Sequence, residues 1–176
     1  MRARLLPLLV VLSAVLAPSP AVAAPPAAAV GLWWAPLAGE LAVTRPFDPP
    51  PDPFAAGHRG ADLAGAAVSP VLAAGDGMVV FAGMVAGRPL VSIEHPDGLR
   101  TTYEPVDPSV AAGQQVLRGS PIGTLVGGHT GCPVEACLHW GLRRGETYLD
   151  PMALLRPPRI RLLPMGRTDL GLLPAG

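Results

Sequence analysis

Two short stretches carry the residue types that do chemistry. His58 and Asp62 stand four apart, and Cys137 and His139 stand two apart near the other end of the chain. Side chains alternate faces on an extended strand, so Cys137 and His139 point the same way and can share one site with His58 and Asp62. Two imidazoles and one carboxylate form a nitrogen and oxygen donor set that suits zinc and leaves a fourth position for water. A metal so held brings the pKa of water toward neutrality and polarises a carbonyl under attack, which is hydrolytic chemistry.

The elements around these residues read as strands and turns. A spacing of four would place His58 and Asp62 on one helix face, but Gly57, Gly60 and Gly65 argue against a helix and for a loop entering a strand. Upstream, Pro49, Pro50, Pro51 and Pro53 lack backbone donors and exclude a central strand or helix there. Downstream, short apolar runs alternate with turn residues. Val68 to Ala73 meets Gly75, Asp76 and Gly77, and Met78 to Ala82 follows. Pro89 to Glu94 turns at Pro96, Asp97 and Gly98 and returns as Leu99 to Tyr103. Val116 and Ile122 bracket Arg118, Gly119 and Ser120, and Ile122 to Val126 runs into Gly127 and Gly128. No helical period longer than a turn or two follows the first stretch, so the expected fold class is all-β, a small antiparallel barrel or sandwich. Met152 to Leu155 has room for one short helical turn.

The ends read differently. Arg2 and Arg4 precede an apolar run from Leu5 to Leu16, too short to span a bilayer but of secretory length, and Ala21, Val22 and Ala23 give a small-residue cleavage pattern. The expected organisation is a signal peptide over 1–23, an Ala and Pro linker over 24–35, one domain over 36–156 and an irregular tail over 157–176. An uncleaved anchor on a proline stalk is the alternative at the start. Loss of the leader turns a formal net charge of zero into −2, which speaks against nucleic acid as a partner. The expected location is secreted, outside the cytoplasm, with no transmembrane domain once the leader is cleaved. The two cysteines of an exported chain are then expected to be oxidised to each other. Trp33 and Trp34 either pack on the core, the expected case, or stay exposed to meet a partner.

The order of residues from Gly57 to Leu63, Pro70 to Gly77, Ile93 to His95, Gly98 to Tyr103, Gly113, Val116, Gly119, Ile122, Gly123, Gly128 to Gly131, Leu138 to Trp140, and Asp150 with Pro151 resembles the lysostaphin-type, or LytM-domain, zinc endopeptidases of bacterial cell walls. The resemblance implies that His58, Asp62 and His139 correspond to the zinc ligands and that the fold is the family's small antiparallel β core. Peptides of peptidoglycan would be the substrate, with specificity in loops such as Phe47 to Ala56 and Val126 to Glu135.

The chain also departs from that pattern. The family carries one His two residues after the tyrosine and another two residues before the last ligand, and both assist proton transfer; Pro105 and Cys137 occupy those places. Such assistance contributes roughly a hundred- to ten-thousand-fold. His129 is the candidate catalytic substitute, placed in the loop before the cysteines. Glu104 is expected to face away from the site by alternation, unless a bulge turns it inward. Glu135 reads as a solvated tip charge and His95 as structural. Cys137 has two readings, a disulfide with Cys132 that pins the loop, or a thiolate ligand that closes the zinc shell. The resemblance and these departures together imply an exported, cell-wall-associated zinc metalloendopeptidase with room for weak activity, or as the alternative an inactive zinc module that binds the wall or regulates a partner hydrolase.

Overall fold

The computed structural model describes residues 33–52 and 55–156. The leader, most of the linker and the tail lie outside the described residues. Eleven strands follow in order: β1 Val43–Arg45, β2 Gly60–Gly65, β3 Pro70–Leu72, β4 Gly77–Val85, β5 Arg88–Glu94, β6 Leu99–Glu104, β7 Val106–Pro108, β8 Gln115–Val116, β9 Pro121–Leu125, β10 Ala136–Arg144 and β11 Thr147–Leu149. A short 3-10 helix, Pro151–Leu155, closes the described chain and is capped by the Asp150 carboxylate, which accepts from Met152 N at 3.0 Å.

The strands form two antiparallel layers. The larger sheet runs β1-β2-β10-β6-β5-β4-β8, with β11 paired to the far end of β10, and the smaller runs β3-β9-β7. The expected all-β class holds, in its sandwich form and without a closed barrel. Alternation decides which face meets the core. Ala61, Leu63, Leu138, Trp140, Tyr103, Val91 and Ile93 point from the large sheet onto Val71, Ile122, Leu125 and Val106 of the small one, and all are buried. Burying side chains of this size stabilises the fold by about 1.5–3 kcal/mol each for the larger ones. The residues between them, Asp62, His139, Thr102 and Ser92, are left to the opposite, open face.

The two tryptophans part company. Trp33 packs against the core and meets His95 edge-on at 4.6 Å between ring centroids. Trp34 is 53% exposed, with the Arg118 guanidinium 5.0 Å from its ring centroid, so core packing holds for Trp33 and the exposed alternative for Trp34. Among the described residues no helix is long and apolar enough to cross a membrane.

Candidate metal centre

Asp62 on β2 and His139 on β10 are direct partners in the antiparallel ladder. Direct partners share a face, so the carboxylate and the imidazole rise side by side from the open face of the sheet. Their ladder neighbours, the pairs Leu63 with Leu138 and Ala61 with Trp140, turn to the core and fix that register.

His58 comes from outside the strands. Its backbone makes an isolated bridge with Asp48, through Asp48 N to His58 O at 3.0 Å and His58 N to Asp48 O at 2.7 Å. The approach is close enough that a Cβ on Gly57 would stand 2.8 Å from Asp48 O, so only glycine fits there. The His58 ring is locked as well. Its Nδ1 lies 2.7 Å from Pro46 O, and a carbonyl only accepts, so Nδ1 carries the proton and Nε2 of the neutral ring is a bare lone pair.

That lone pair faces two others. His58 Nε2 is 3.0 Å from Asp62 Oδ1 and 3.0 Å from His139 Nδ1, and His139 Nδ1 is 2.8 Å from Asp62 Oδ1. With both rings neutral, one proton on His139 Nδ1 serves three mutual contacts. The triangle is short of positive charge. Burial pushes the Asp62 carboxyl up, but the His139 hydrogen bond and the positive charge that His58, His139 and His129 carry when protonated outweigh it, so its pKa lies below the ordinary carboxylate range. A cation at the triangle would satisfy all three atoms, and two ligands of a tetrahedral zinc stand about 3.3 Å apart, close to these sides. His58 and Asp62 are nearly sealed while the His139 side chain is 21% exposed, so the centre opens past His139. The ring of His139 leans over Gly60, where an added Cβ would meet Nε2 at 2.7 Å.

The other candidates fall around this centre. His129 lies parallel to His139, at 6° between planes and 6.4 Å between centroids, and its Nδ1 is buried with no hydrogen-bond partner among the described residues. Cys132 and Cys137 are joined by a disulfide with Cα atoms 5.6 Å apart, which ties the His129 loop to β10 two residues before His139. Thr44 Oγ1 approaches Cys137 Sγ at 3.6 Å. Glu135 is exposed. His95 sits apart and buried, its Nδ1 2.8 Å from Asp76 O and its Nε2 2.8 Å from Thr101 Oγ1.

Glu104 overturns its expectation. It pairs directly with His139 in the ladder and so rises on the same open face, one strand over from the centre, with no bulge needed. Its carboxylate is held by Arg88. Counting outward from the buried Tyr103 would have shown it, since alternation puts the next residue on the other face. Pro46 and Arg88 were also missed: the first acts through its backbone carbonyl, and the second is brought near only by the order of the sheet.

The comparisons with known proteins meet this geometry. The profile of Peptidase family M23 matches residues 56–151, a range that begins just before His58 and ends just past Asp150. The chain belongs to peptidase family M23. An uncharacterized protein of Mycobacterium tuberculosis is 51% identical over 144 residues, 78% of this chain and 57% of the relative. The chain thus spans a little over half the length of that relative. Among solved structures, a zinc-containing peptidase from Vibrio cholerae is similar at 28% identity and TM-score 0.54, over 65% of this chain and 37% of that one. The catalytic domain of the antimicrobial peptidase lysostaphin from Staphylococcus simulans is similar at 25% identity and TM-score 0.55, over 65% of this chain and 92% of that one. The LytM-type fold expected from the sequence is thereby shown, and His58, Asp62 and His139 all lie within the matched range.

Proposed function

We propose that this M23 domain is a zinc metallopeptidase of the peptide part of peptidoglycan, working outside the cytoplasm. The observation that carries the reading is the triangle of His58 Nε2, Asp62 Oδ1 and His139 Nδ1, with His58 locked by Pro46 so that its bare nitrogen points inward. These three residues would hold the ion. When bound, zinc supplies Lewis acidity, activating water and polarising the peptide carbonyl.

The chain's own residues do the rest. Asp62, ionised, offsets the positive charge of the centre, its Oδ1 standing beside His139 Nδ1 as a fellow donor to the ion. His129 is the proton carrier within reach of the open side, stacked over His139 with an unspent buried Nδ1. It takes the proton of the attacking water and delivers it to the leaving amine. The disulfide between Cys132 and Cys137 keeps the His129 loop over the centre, and an oxidising compartment supports that bond.

A second reading has its own support. Pro105 and the disulfide-bonded Cys137 carry no exchangeable proton in the places where the family has assisting histidines, which favours a module that binds wall peptides or a partner hydrolase without cutting. Hydrolysis of purified peptidoglycan by zinc-loaded protein separates the two. Release of new amino termini that disappears in His139→Ala and falls at least tenfold in His129→Ala supports the peptidase. One equivalent of bound zinc with no release from the unaltered protein supports the binding module.

A further inference from the structure

The open face of the large sheet carries an ion pair that the reading above leaves unused. Glu104 on β6 is the ladder partner of His139 on β10, on the side away from Asp62. β5 lies beyond β6, and contacts between them mark the same face: Ser92 Oγ with Thr102 Oγ1 at 3.4 Å, and Arg100 donating to Glu94 at 2.6 Å. Arg88 leaves β5 on that face, and its Nε meets Glu104 Oε1. The two partners differ in exposure. The Glu104 side chain is 16% exposed and that of Arg88 is 61% exposed, so the carboxylate is the anchor and the guanidinium is presented.

Among the described residues Glu104 is the only ionic partner of Arg88. With Nε engaged, the two terminal nitrogens carry four further N–H donors on a side chain that is mostly exposed. A guanidinium edge of this kind is planar and preorganised, and it matches the two oxygens of a carboxylate. An amine ligand fits less well, because Glu104, the acid beside Arg88, is already covered by it. Position then says which part of a ligand meets it. Neighbouring strands are about 4.8 Å apart, so β5 lies roughly 10 Å from β10, and an extended peptide advances about 3.3 Å per residue.

We propose that Arg88, braced by Glu104, forms a carboxylate-binding subsite of the groove, which reads an acidic group two to three residues from the bond presented at His139. The inference rests on the reading of the centre as a peptide site. It assigns the preferred substrate class as acidic peptides with a free carboxylate, held by a residue outside the loops.

The test uses muropeptides released from purified peptidoglycan by a glycan-cleaving enzyme, in two preparations. One keeps its carboxylates free, and in the other they are converted to amides with carbodiimide and ammonia. Each is titrated calorimetrically into the zinc-loaded protein. The free form binds about five- to tenfold tighter, and the gap narrows as salt is raised. Arg88→Leu removes the gap and Arg88→Glu inverts it, both with unchanged zinc content, because the side chain is exposed and touches no ligand of the centre. A gap that survives in Arg88→Leu overturns the assignment to Arg88. Equal binding of the two forms by the unaltered protein overturns the subsite and leaves the peptide site standing. Absence of binding by either form overturns the peptide site, and the subsite with it.

Discussion

The large sheet holds two buried histidine clusters, one on each face, and they begin alike. His58 donates from Nδ1 to Pro46 O at 2.7 Å, and His95 donates from Nδ1 to Asp76 O at 2.8 Å. Both rings are thereby fixed in one tautomer with Nε2 bare. What Nε2 meets is different. At His95 it meets the Thr101 hydroxyl at 2.8 Å, and Thr101 in turn lies 3.0 Å from the Tyr103 hydroxyl, which accepts from Ala74 N. A hydroxyl both gives and takes a hydrogen bond, so Thr101 and Tyr103 bring protons of their own to that network. At His58 the bare nitrogen meets a carboxylate and a second imidazole, which together lack the protons to pair. A buried polar cluster that satisfies itself stiffens a core, whereas one that does not is built for something else to enter.

Removing one corner of the open cluster gives the largest expected effect. Asp62→Ala takes away the only anionic donor, so zinc affinity falls by more than about a hundredfold, beyond what losing an outer partner costs, and peptidase activity goes with it. Competition against a chromophoric chelator measures this. Retention of one tightly bound equivalent in the variant would mean that the triangle is not the metal site. His95→Ala is the matching change on the other face. It leaves Asp76 O and Thr101 without their partner and opens a cavity under Trp33, costing on the order of 2–4 kcal/mol of stability with zinc binding intact. A His95→Ala protein of normal stability that loses zinc would reverse the roles given to the two clusters.

Cys137 lies between these cases, since it shares the open face with His139 but is bonded to Cys132. Replacing both cysteines by serine is expected to cost about 2 kcal/mol in urea unfolding, the loop-closure value for so short a span, while zinc affinity stays within about threefold. A loss of zinc as large as that of Asp62→Ala would return Cys137 to the ligand set.

Much of this comparison was legible in the sequence, and the limits have physical causes. Glycine turns at Gly75 to Gly77 and Pro96 to Gly98 do bound β4, β5 and β6, because a turn is specified locally. β1, β7 and β11, three residues each, are too short to show a period and went unread. His58, Asp62 and His139 stood out by type and by resemblance, since a donor set is a matter of side-chain chemistry. The Pro46 carbonyl did not, because every residue has one and only the path of the chain selects it. Glu104 reads onto the wrong face when its side is counted from Pro105, and onto the right one when counted from the inward Tyr103. Arg88 was invisible because its closeness to Glu104 depends on β5 lying beside β6, a matter of sheet order that no local pattern encodes.

Acidity gives the smallest effect and separates the clusters by pH. Burial pushes the His95 imidazole below its ordinary value, against the pull of the Asp76 carbonyl and nearby carboxylates. A lowered folded-state pKa means that the native protein holds this ring neutral while the unfolded chain takes up a proton. The contribution is therefore fully present above about pH 6.5, the value in the unfolded chain, and it is lost as pH falls through that value toward the lower folded one. The slope for one such group is at most about 1.4 kcal/mol per pH unit. Urea unfolding of the zinc-free protein between pH 7.5 and 5.5 should show this loss, and His95→Gln, which cannot protonate, should flatten it at the cost of a lower plateau. An equal slope in His95→Gln would place the titrating group elsewhere, and the closed cluster would then have no part in the protein's response to acid.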